Sequence, residues 1–347
     1  MKAVVLNANE KLDYEEVALP EIRPGCVRIR IAVCGICGSD IPRVYDHAAH
    51  NYPVILGHEF SGIVDAIGEG VDGFKKGEHV VAAPLVPCMT CPDCRKGNYS
   101  LCSRYSFVGS RQQGAMADYV VVPAENVIPI SESLSFEQAA TIEPATVGLH
   151  ALRIANFTEG KSVAVLGCGI IGLYTAAWAK ILGASSVTAI SRGKSGLEAA
   201  ARMGADEIIS TEDFPSDGLP DYLKERKFDY VMECSGSGAT IHLAMTLVGK
   251  KGVLCFVGTP KKPLTFTIQE WEQINRKECW VTGSWMSYSA PFPGEEWRMA
   301  VREMENGRLL YDEGLVYGIY PMEDAREAFE AIHSGKAKGR VLLTNGL

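Results

Sequence analysis

The sequence predicts an α/β protein built from two domains, one rich in β-strands and one organised around a doubly wound parallel sheet. Its 347 residues exceed the size of a single ordinary domain core. Residues 1–148 contain short β-type runs separated by glycine and proline, a pattern typical of an antiparallel, barrel-like domain. Residues 149–288 alternate apolar strands with helical stretches, which indicates βαβ units.

The segments can be assigned in chain order. The predicted strands of the first domain are 27–33, 62–67, 79–82 and 119–123. In the second domain, strands 162–166, 186–190, 228–232 and 252–257 alternate with helices 170–182, 197–203 and 239–247. The remaining residues, 289–347, hold two helices (297–306 and 322–334) and two strands (315–320 and 339–343). They are too few to bury a core of their own, so we expect them to return to the first domain.

Composition and charge exclude several classes of protein. Hydrophobic residues make up 47% and charged residues 22%, the balance of a soluble globular chain. The net charge of −8 argues against nucleic acid as the main partner, which needs a basic face. The first residues resemble no secretory signal, and the longest apolar stretch, 163–179, is short for a membrane span and interrupted by glycine. We therefore expect a cytoplasmic protein with no membrane partner.

Four of the eleven cysteines lie together, in the pattern Cys88-x2-Cys91-x2-Cys94-x7-Cys102. In a reducing compartment, clustered cysteines indicate metal ligands before disulfides. Four thiolates at this spacing can surround one Zn²⁺ as a closed, structural site. Four free thiols, a redox pair and an iron–sulfur cluster are the alternatives.

A second set of candidate metal ligands is dispersed along the chain: Cys37, His58, Glu59 and Glu143. One thiolate, one imidazole and a carboxylate can form a catalytic zinc site that keeps a position open for water or substrate. Taken singly, a buried cysteine or histidine is more often a packing residue than a ligand. Glycines beside these residues favour the metal interpretation, because they let the backbone pass close to an ion.

A dinucleotide-binding motif follows the first strand of the second domain. The six residues are Gly167, Cys168, Gly169, Ile170, Ile171 and Gly172, which form G-x-G-x-x-G between a predicted strand and a predicted helix. The glycines permit a tight turn and the close approach of a pyrophosphate, which then lies at the helix N-terminus. An ordinary glycine-rich turn is the alternative, and the strand-to-helix context argues against it.

The end of the next strand bears on the choice of cofactor. NAD sites usually place Asp or Glu about 20 residues after the fingerprint, where it binds the ribose 2′-hydroxyl. This chain instead has Ser191-Arg192-Gly193-Lys194, with two cations and no carboxylate. We therefore expect NADP(H) to be favoured over NAD(H), with a solvated basic loop as the alternative.

Together these motifs resemble the zinc-containing medium-chain alcohol and polyol dehydrogenases over essentially the whole chain. Gly57-His58-Glu59, the four cysteines and the glycine fingerprint occur in the family's order and at its distances. At Glu143 the chain resembles the sorbitol and sugar-alcohol branch of the family, which has a glutamate where simple alcohol dehydrogenases have a cysteine. The resemblance implies a GroES-like β-barrel catalytic domain, a Rossmann cofactor domain, and a homodimer or homotetramer, although the sequence itself does not give the oligomeric state.

The resemblance also implies roles for the metal ligands. Two zinc ions would bind each chain, a structural one at the four cysteines and a catalytic one at Cys37, His58 and either Glu59 or Glu143. Family members differ in whether the glutamate after the histidine is a ligand, so both carboxylates are candidates.

A proton relay is implied in the same way. Ser39 matches the small hydroxyl residue that begins the relay in the family. Many relatives carry a histidine five residues after the catalytic cysteine, where this chain has Pro42. The relay must end elsewhere, and His47, His50 or water are the candidates.

The implied substrate is a polyol, most closely a hexitol phosphate, oxidised at a secondary hydroxyl by hydride transfer to the nicotinamide. A phosphate dianion needs fixed cations, and Arg43 and Arg111 lie nearest in sequence to the active-site segments. The alternative for each is a solvated surface arginine. Sorbitol, butanediol and L-threonine dehydrogenases share all these motifs, so only substrate assays separate them. A non-catalytic zinc and nucleotide binding module is the alternative from another class.

Overall fold

The computed structural model describes residues 1–215 and 219–347, which form two compact units. Unit 1 comprises Met1–Glu143, Tyr288–Asn306 and Val316–Leu347, and unit 2 comprises Pro144–Ser287 and Gly307–Leu315. The first boundary follows Glu143 rather than residue 148, and it falls inside the helix Ile142–Ile154. Residues 307–315 belong to unit 2, where Arg202 forms an ion pair with Asp312 at 2.7 Å. Every helix among the described residues is too short or too polar to span a bilayer.

The N-terminal part of unit 1 consists of ten strands and three short helices. The strands are β1 (Lys2–Ala8), β2 (Lys11–Glu16), β3 (Cys26–Gly35), β4 (Val54–Ile55), β5 (Glu59–Ile67), β6 (His79–Ala82), β7 (Leu85–Val86), β8 (Ser106–Phe107), β9 (Tyr119–Pro123) and β10 (Val127–Pro129). The helices are α1 (Asp40–Tyr45), α2 (Pro92–Arg95) and α3 (Phe136–Ala139).

Unit 2 alternates strands and helices, and its first helix starts two residues before the boundary. The helices are α4 (Ile142–Ile154), α5 (Ile170–Ile181), α6 (Lys194–Arg202), α7 (Asp221–Glu225), α8 (Gly238–Leu247) and α9 (Ile268–Lys277). The strands are β11 (Ser162–Leu166), β12 (Ser186–Ser191), β13 (Glu207–Ser210), β14 (Phe228–Glu233), β15 (Val248–Phe256) and β16 (Trp280–Gly283).

The last part of the chain adds α10 (Glu295–Glu305), β17 (Val316–Pro321), α11 (Ala325–His333) and β18 (Arg340–Thr344) to unit 1. Strand β18 pairs antiparallel with β3, and β17 pairs parallel with β18. The C-terminal residues therefore complete the sheet that the N-terminal residues begin.

The sheets of unit 1 are antiparallel except for the β17–β18 pair. The larger sheet has the order β10-β6-β5-β3-β18-β17, with β9 also paired to β3, and a smaller one has the order β2-β1-β4. Apolar residues alternate towards a core in which Val27, Ile29 and Ile31 of β3 have no exposed surface. The predicted antiparallel β domain is confirmed.

The sheet of unit 2 is parallel throughout, in the order β13-β12-β11-β14-β15-β16. This is the doubly wound dinucleotide-binding order, and the order of the strands along the sheet reverses between β11 and β14. Residues Val163–Leu166 of β11 are fully buried, as expected for a parallel strand that helices cover on both faces. The predicted Rossmann architecture is confirmed, with element ends displaced by a few residues.

Candidate functional site

The four clustered cysteines converge in a small lobe between β7 and β8. Their sulfur atoms all lie within 4.8 Å of one another, close enough for four thiolates to share one Zn²⁺. Cys91 caps helix α2 and accepts a hydrogen bond from the backbone N–H of Cys94 at 3.5 Å. The sequence motif is therefore folded as a ligand cage, and all of the chain's cysteines are free thiols.

The pKa values of two of these thiols are shifted in opposite directions. Hydrogen bonds from Thr90 lower the pKa of Cys88 to about 5, while burial raises the pKa of Cys94 to about 12. Arg104 donates to Thr90 and approaches the Cys88 sulfur at 3.8 Å. Neighbouring thiolates repel one another, and a divalent cation at their centre is the group that lets all four ionise.

A second group of ligand atoms lies beside the sheet. Atoms of Cys37, His58 and Glu59 lie within 4.8 Å of one another. Cys37 follows β3, His58 and Glu59 open β5, and these strands pair with Gly35 opposite Glu59. Gly57 makes the approach possible, because its φ of +95° suits glycine and a β-carbon there would lie 2.6 Å from the Cys34 sulfur.

Asp40 orients this group, although the sequence analysis assigned it no role. It is fully buried, and its Oδ2 accepts a hydrogen bond from the Cys37 backbone N–H at 3.1 Å. Its Oδ1 lies 3.7 Å from Nδ1 of His58 and accepts from Arg43 at 2.8 Å. Burial raises the pKa of Asp40, and the neighbouring His58 and Arg43 oppose that rise. Its place three residues after Cys37 was the available signal.

Arg340 is a second residue that sequence reasoning missed. Its guanidinium forms a buried ion pair with Glu59, and the two side chains are only 5% and 3% exposed. Strand β18 brings Arg340 to the start of β5 from the far end of the chain. No local pattern could have indicated a partner separated by 281 residues.

Glu143 lies near the second group of ligands but outside the mutually close set among the described residues. Burial raises its pKa to about 7, with His58 lowering it and Glu59 raising it further. Those mutual effects place the carboxyl in the same electrostatic environment as the histidine. Both glutamates thus lie near His58, and Glu59 is the one within the close set.

Ser39 contacts the same group. Its hydroxyl donates to the Cys37 sulfur at 3.3 Å and accepts from Nη1 of Arg43 at 2.9 Å. The two histidines predicted as candidate proton acceptors, His47 and His50, have different surroundings. The backbone N–H of His47 donates to Asn9, whereas burial together with Arg111 and Arg43 lowers the pKa of His50.

Arg111 and Arg43 both act electrostatically on His50, and Arg43 also contacts Ser39. Arg111 is exposed and lies over the ring of Tyr105 at 4.4 Å. Arg43 donates through Nη1 to Ser39 and Asp40, and its side chain is 16% exposed. Contact of either arginine with a phosphate stays a prediction.

The glycine fingerprint of unit 2 has its expected strand-to-helix setting. Gly167 follows β11, Gly169 caps α5, and Ile170, Ile171 and Gly172 form the first turn of that helix. The backbone N–H of Cys168 donates to the Ser191 hydroxyl at 3.3 Å, which ties the turn to the end of β12.

The two cations after β12 lie at the surface of unit 2. Arg192 is exposed, and no other described residue forms an ion pair with it. Lys194 starts α6 and lies 3.8 Å from Glu198, one turn further along that helix. Both side chains can therefore meet a ligand at the end of β12 without giving up a buried contact.

Two family models match this chain. The alcohol dehydrogenase GroES-like domain matches residues 23–132, and the zinc-binding dehydrogenase model matches residues 171–306. The chain belongs to the zinc-binding dehydrogenases, and it is an oxidoreductase enzyme.

Relatives within this family include galactitol 1-phosphate 5-dehydrogenase of Escherichia coli K12, 40% identical over 99% of both chains. The crystal structure of the Escherichia coli galactitol-1-phosphate dehydrogenase superposes with a TM-score of 0.93 at 40% identity, covering 99% of this chain and 100% of the other.

Two further solved structures contain cofactors. A zinc-binding dehydrogenase from Sinorhizobium meliloti 1021, bound to NADP, is 27% identical with a TM-score of 0.87, covering 99% of this chain and 98% of that one. An alcohol dehydrogenase from Escherichia coli CFT073, complexed with NADH, is 27% identical with a TM-score of 0.88, covering 99% of both chains. Similarity alone therefore leaves the choice of nicotinamide open.

Proposed function

We propose that this enzyme interconverts a hexitol phosphate such as galactitol 1-phosphate and the corresponding ketose phosphate. The observation that supports the substrate proposal is the pair of cations Arg43 and Arg111, which both lower the pKa of His50, with Arg43 also hydrogen-bonded to Ser39. An acidic protein must supply such cations locally if it is to bind a phosphate dianion. The relative that shares 40% identity acts on galactitol 1-phosphate, which agrees with this chemistry.

The residues present fit two zinc ions per chain. Cys88, Cys91, Cys94 and Cys102 form an all-sulfur set with the close packing of a structural site. Cys37, His58 and Glu59 supply sulfur, nitrogen and oxygen donors, and Glu143, whose pKa is affected by both His58 and Glu59, is the alternative carboxylate. When bound, the catalytic zinc supplies a Lewis acid for the reacting oxygen, and the nicotinamide supplies a two-electron hydride acceptor.

The chain's own groups would then orient the substrate and remove its proton. Ser39 is exposed, so its hydroxyl can take the proton of the substrate hydroxyl and pass its own proton to solvent. We propose this direct path to water because Pro42 replaces a histidine and Arg43 cannot accept a proton. Asp40 would hold His58 and the Cys37 backbone in place throughout.

The phosphate would bind the exposed Arg111 and the Arg43 guanidinium. A charge-assisted hydrogen bond contributes enough that Arg111→Ala should raise KM for the phosphorylated polyol roughly 10- to 100-fold. The unphosphorylated polyol serves as the control and should be little affected. Arg43→Ala should raise the same KM and also lower kcat, because it removes a hydrogen bond to Ser39.

NADP(H) is the cofactor that the end of β12 favours. A guanidinium can pair with the 2′-phosphate through two charge-assisted hydrogen bonds, and Ser191 presents no repelling carboxylate. Arg192→Ala should therefore raise KM for NADPH far more than KM for NADH. Equal KM values for both cofactors in the unmutated enzyme would overturn this preference.

A screen of the purified enzyme tests the substrate proposal. Galactitol 1-phosphate, galactitol, sorbitol, butanediol and L-threonine are compared with both oxidised nicotinamides, and we expect the highest kcat/KM for the phosphate. Higher kcat/KM for sorbitol, butanediol or L-threonine would favour the alternative substrate assignments. One zinc per chain, with no turnover of any alcohol, would instead favour the non-catalytic zinc and nucleotide binding module.

We also propose a homo-oligomer, a homodimer or homotetramer, in a reducing cytoplasm. Strand β16 ends the sheet of unit 2 and exposes 70% of Trp280 and 42% of Val281. Apolar edge strands readily pair with another chain, and a second copy would cover this one. Light scattering should give a multiple of the chain mass, and Trp280→Glu should reduce it. Thiols used as ligands suit a reducing compartment.

A further inference from the structure

Glu233 is a buried carboxylate to which neither the sequence motifs nor the proposed reaction gives a role. It ends β14, next to β11 at the reversal point of the parallel sheet, and it has no exposed surface. Taking a carboxylate out of water is costly unless its oxygens are hydrogen-bonded. A residue kept there needs a structural or functional reason.

The hydrogen-bond partners of the Glu233 carboxylate lie in the loop that follows it and in the first turn of helix α8. Its Oε1 accepts hydrogen bonds from the backbone N–H groups of Ser235 and Gly236, both at 3.0 Å, and from the Thr240 hydroxyl at 2.8 Å. Its Oε2 accepts from Gly236 at 3.1 Å. One side chain therefore fixes the path of the backbone from the end of β14 to the start of α8.

This loop touches the glycine fingerprint. Gly167 has a φ of +95°, and a β-carbon there would lie 2.6 Å from the β-carbon of Ser235 and 3.1 Å from its backbone nitrogen. The backbone N–H of Cys234 donates to the Leu166 carbonyl at 2.9 Å, just before the fingerprint. The turn that would receive the pyrophosphate thus packs directly on the segment that Glu233 holds.

The same loop also contacts the end of the next strand. The Glu233 carbonyl accepts hydrogen bonds from Val257 at 2.8 Å and Gly258 at 2.9 Å. A β-carbon on Gly236 would clash with the carbonyl of Thr259. The loop after β14, whose path the Glu233 carboxylate fixes, therefore contacts both the turn after β11 and the loop after β15.

We propose that Glu233 is a positioning residue for the nicotinamide cofactor, because its hydrogen bonds to the Ser235–Gly236 backbone set the support against which the Gly167 turn is formed. This inference rests on the proposed cofactor binding by that turn. Glu233 acts through the loop and needs no contact with the cofactor. Loss of the carboxylate would let the loop shift, and the fingerprint N–H groups would no longer be arranged for the pyrophosphate.

Glu233→Gln is the direct test, because it keeps the shape but turns one acceptor oxygen into an NH₂ group facing N–H donors. Cofactor dissociation constants are measured by fluorescence titration and calorimetry with NADPH and NADH. Zinc content and the urea midpoint are recorded in parallel. We expect the dissociation constants of both cofactors to rise about tenfold or more. KM for the cofactor should rise with them, while KM for the alcohol stays the same.

Asp229→Asn is the matched control, because Asp229 lies near the amino end of β14, whereas Glu233 lies at its carboxyl end. Its carboxylate also accepts a backbone hydrogen bond, from Ser162 at 2.9 Å, and a hydroxyl bond from the same residue at 2.8 Å. We expect Asp229→Asn to lower the urea midpoint and leave cofactor affinity unchanged. Equal losses of affinity in both variants, or wild-type affinity in a folded Glu233→Gln protein, would overturn the proposal.

If Glu233→Gln does not fold, Thr240→Val decides the matter, because it removes one hydrogen bond to the carboxylate. A raised dissociation constant for Thr240→Val supports the positioning role, and an unchanged one contradicts it. Failure of the unmutated enzyme to bind either nicotinamide would instead contradict the proposed cofactor binding itself. The two failures are therefore distinguishable.

Discussion

Two regions of unit 1 gather side chains that can bind metal ions, and they do so by opposite means. The four-cysteine lobe takes every donor from residues 88–102, a segment whose regular structure is helix α2 and the 3-10 turn Tyr99–Leu101. The Cys37, His58 and Glu59 group takes its donors from the ends of two paired strands. Asp40 accepts a hydrogen bond from the Cys37 backbone, and Arg340 forms an ion pair with Glu59.

The difference indicates what each region needs in order to keep its shape. Four mutually repelling thiolates in a lobe with little regular structure would depend on a bound cation, so we expect metal binding there to be part of folding. The dispersed group is held by strand register and by a buried ion pair, which exist without metal. We therefore expect ligand loss to destabilise the lobe but only to inactivate the dispersed group.

The largest expected effect is on catalysis by Cys37→Ser. Removing a thiolate from the dispersed group should lower kcat roughly 1,000-fold, since Lewis-acid assistance contributes several kcal/mol. The urea midpoint should stay near that of the unmutated protein. Activity assays and zinc analysis check this result, and a variant with full zinc and full turnover would contradict the assignment of Cys37.

Next in size is the loss of the Arg340 counter-ion. Arg340→Met leaves Glu59 buried and unpaired, which should cost about 3–5 kcal/mol in the free energy of unfolding. Urea unfolding measures the loss. The double variant Glu59→Gln with Arg340→Met should recover much of that stability, because no charge then remains buried. A single variant as stable as the double one would show that the ion pair does not hold this region.

Cys91→Ser should give the clearest loss of stability in the lobe. A loss on the order of 3 kcal/mol would lower the Tm by roughly 6 to 12 °C, and one zinc per chain should be released. Cys26→Ser is the matched control, a buried thiol on β3 that belongs to neither group. If Cys91→Ser and Cys26→Ser unfold at the same temperature, the lobe does not depend on its metal.

The smallest expected effect concerns Asp40, which supports the dispersed group without being in its close ligand set. Asp40→Asn should weaken zinc binding there about 10- to 100-fold, as loss of a residue that orients metal ligands usually does. The lobe should keep its zinc. Competition with a chelator, followed by zinc analysis and activity, separates the two sites. Equal release from both would contradict the role of Asp40.

Local patterns predicted much of this molecule because their causes are local. Short apolar runs bounded by turn residues predicted β9 and β11 to the residue, and the glycine fingerprint indicated the turn before α5. The spacing of four cysteines likewise describes one short loop. Asp40 was visible beside Cys37, but an acidic residue at the start of a helix is also favourable without any ligand nearby.

Residues joined only by the tertiary fold were beyond such patterns. Arg340 meets Glu59 because β18 pairs with β3, a contact between the two ends of the chain. Glu233 supports the fingerprint through backbone contacts between loops, which leave no trace in hydrophobic periodicity. The segment 307–315 joins unit 2 through the Arg202–Asp312 ion pair rather than through any composition change.

The pairing of β18 with β3 also has a consequence for biosynthesis. A ribosome adds about 5–20 residues per second, and N-terminal domains generally fold first. Unit 1 cannot follow that order, because β3 and β5 emerge long before Arg340 is translated. The nascent chain must hold Glu59 without its counter-ion until Arg340 has left the exit tunnel. A premature stop or C-terminal proteolysis before Arg340 would therefore leave Cys37, His58 and Glu59 in the chain but remove the counter-ion of Glu59.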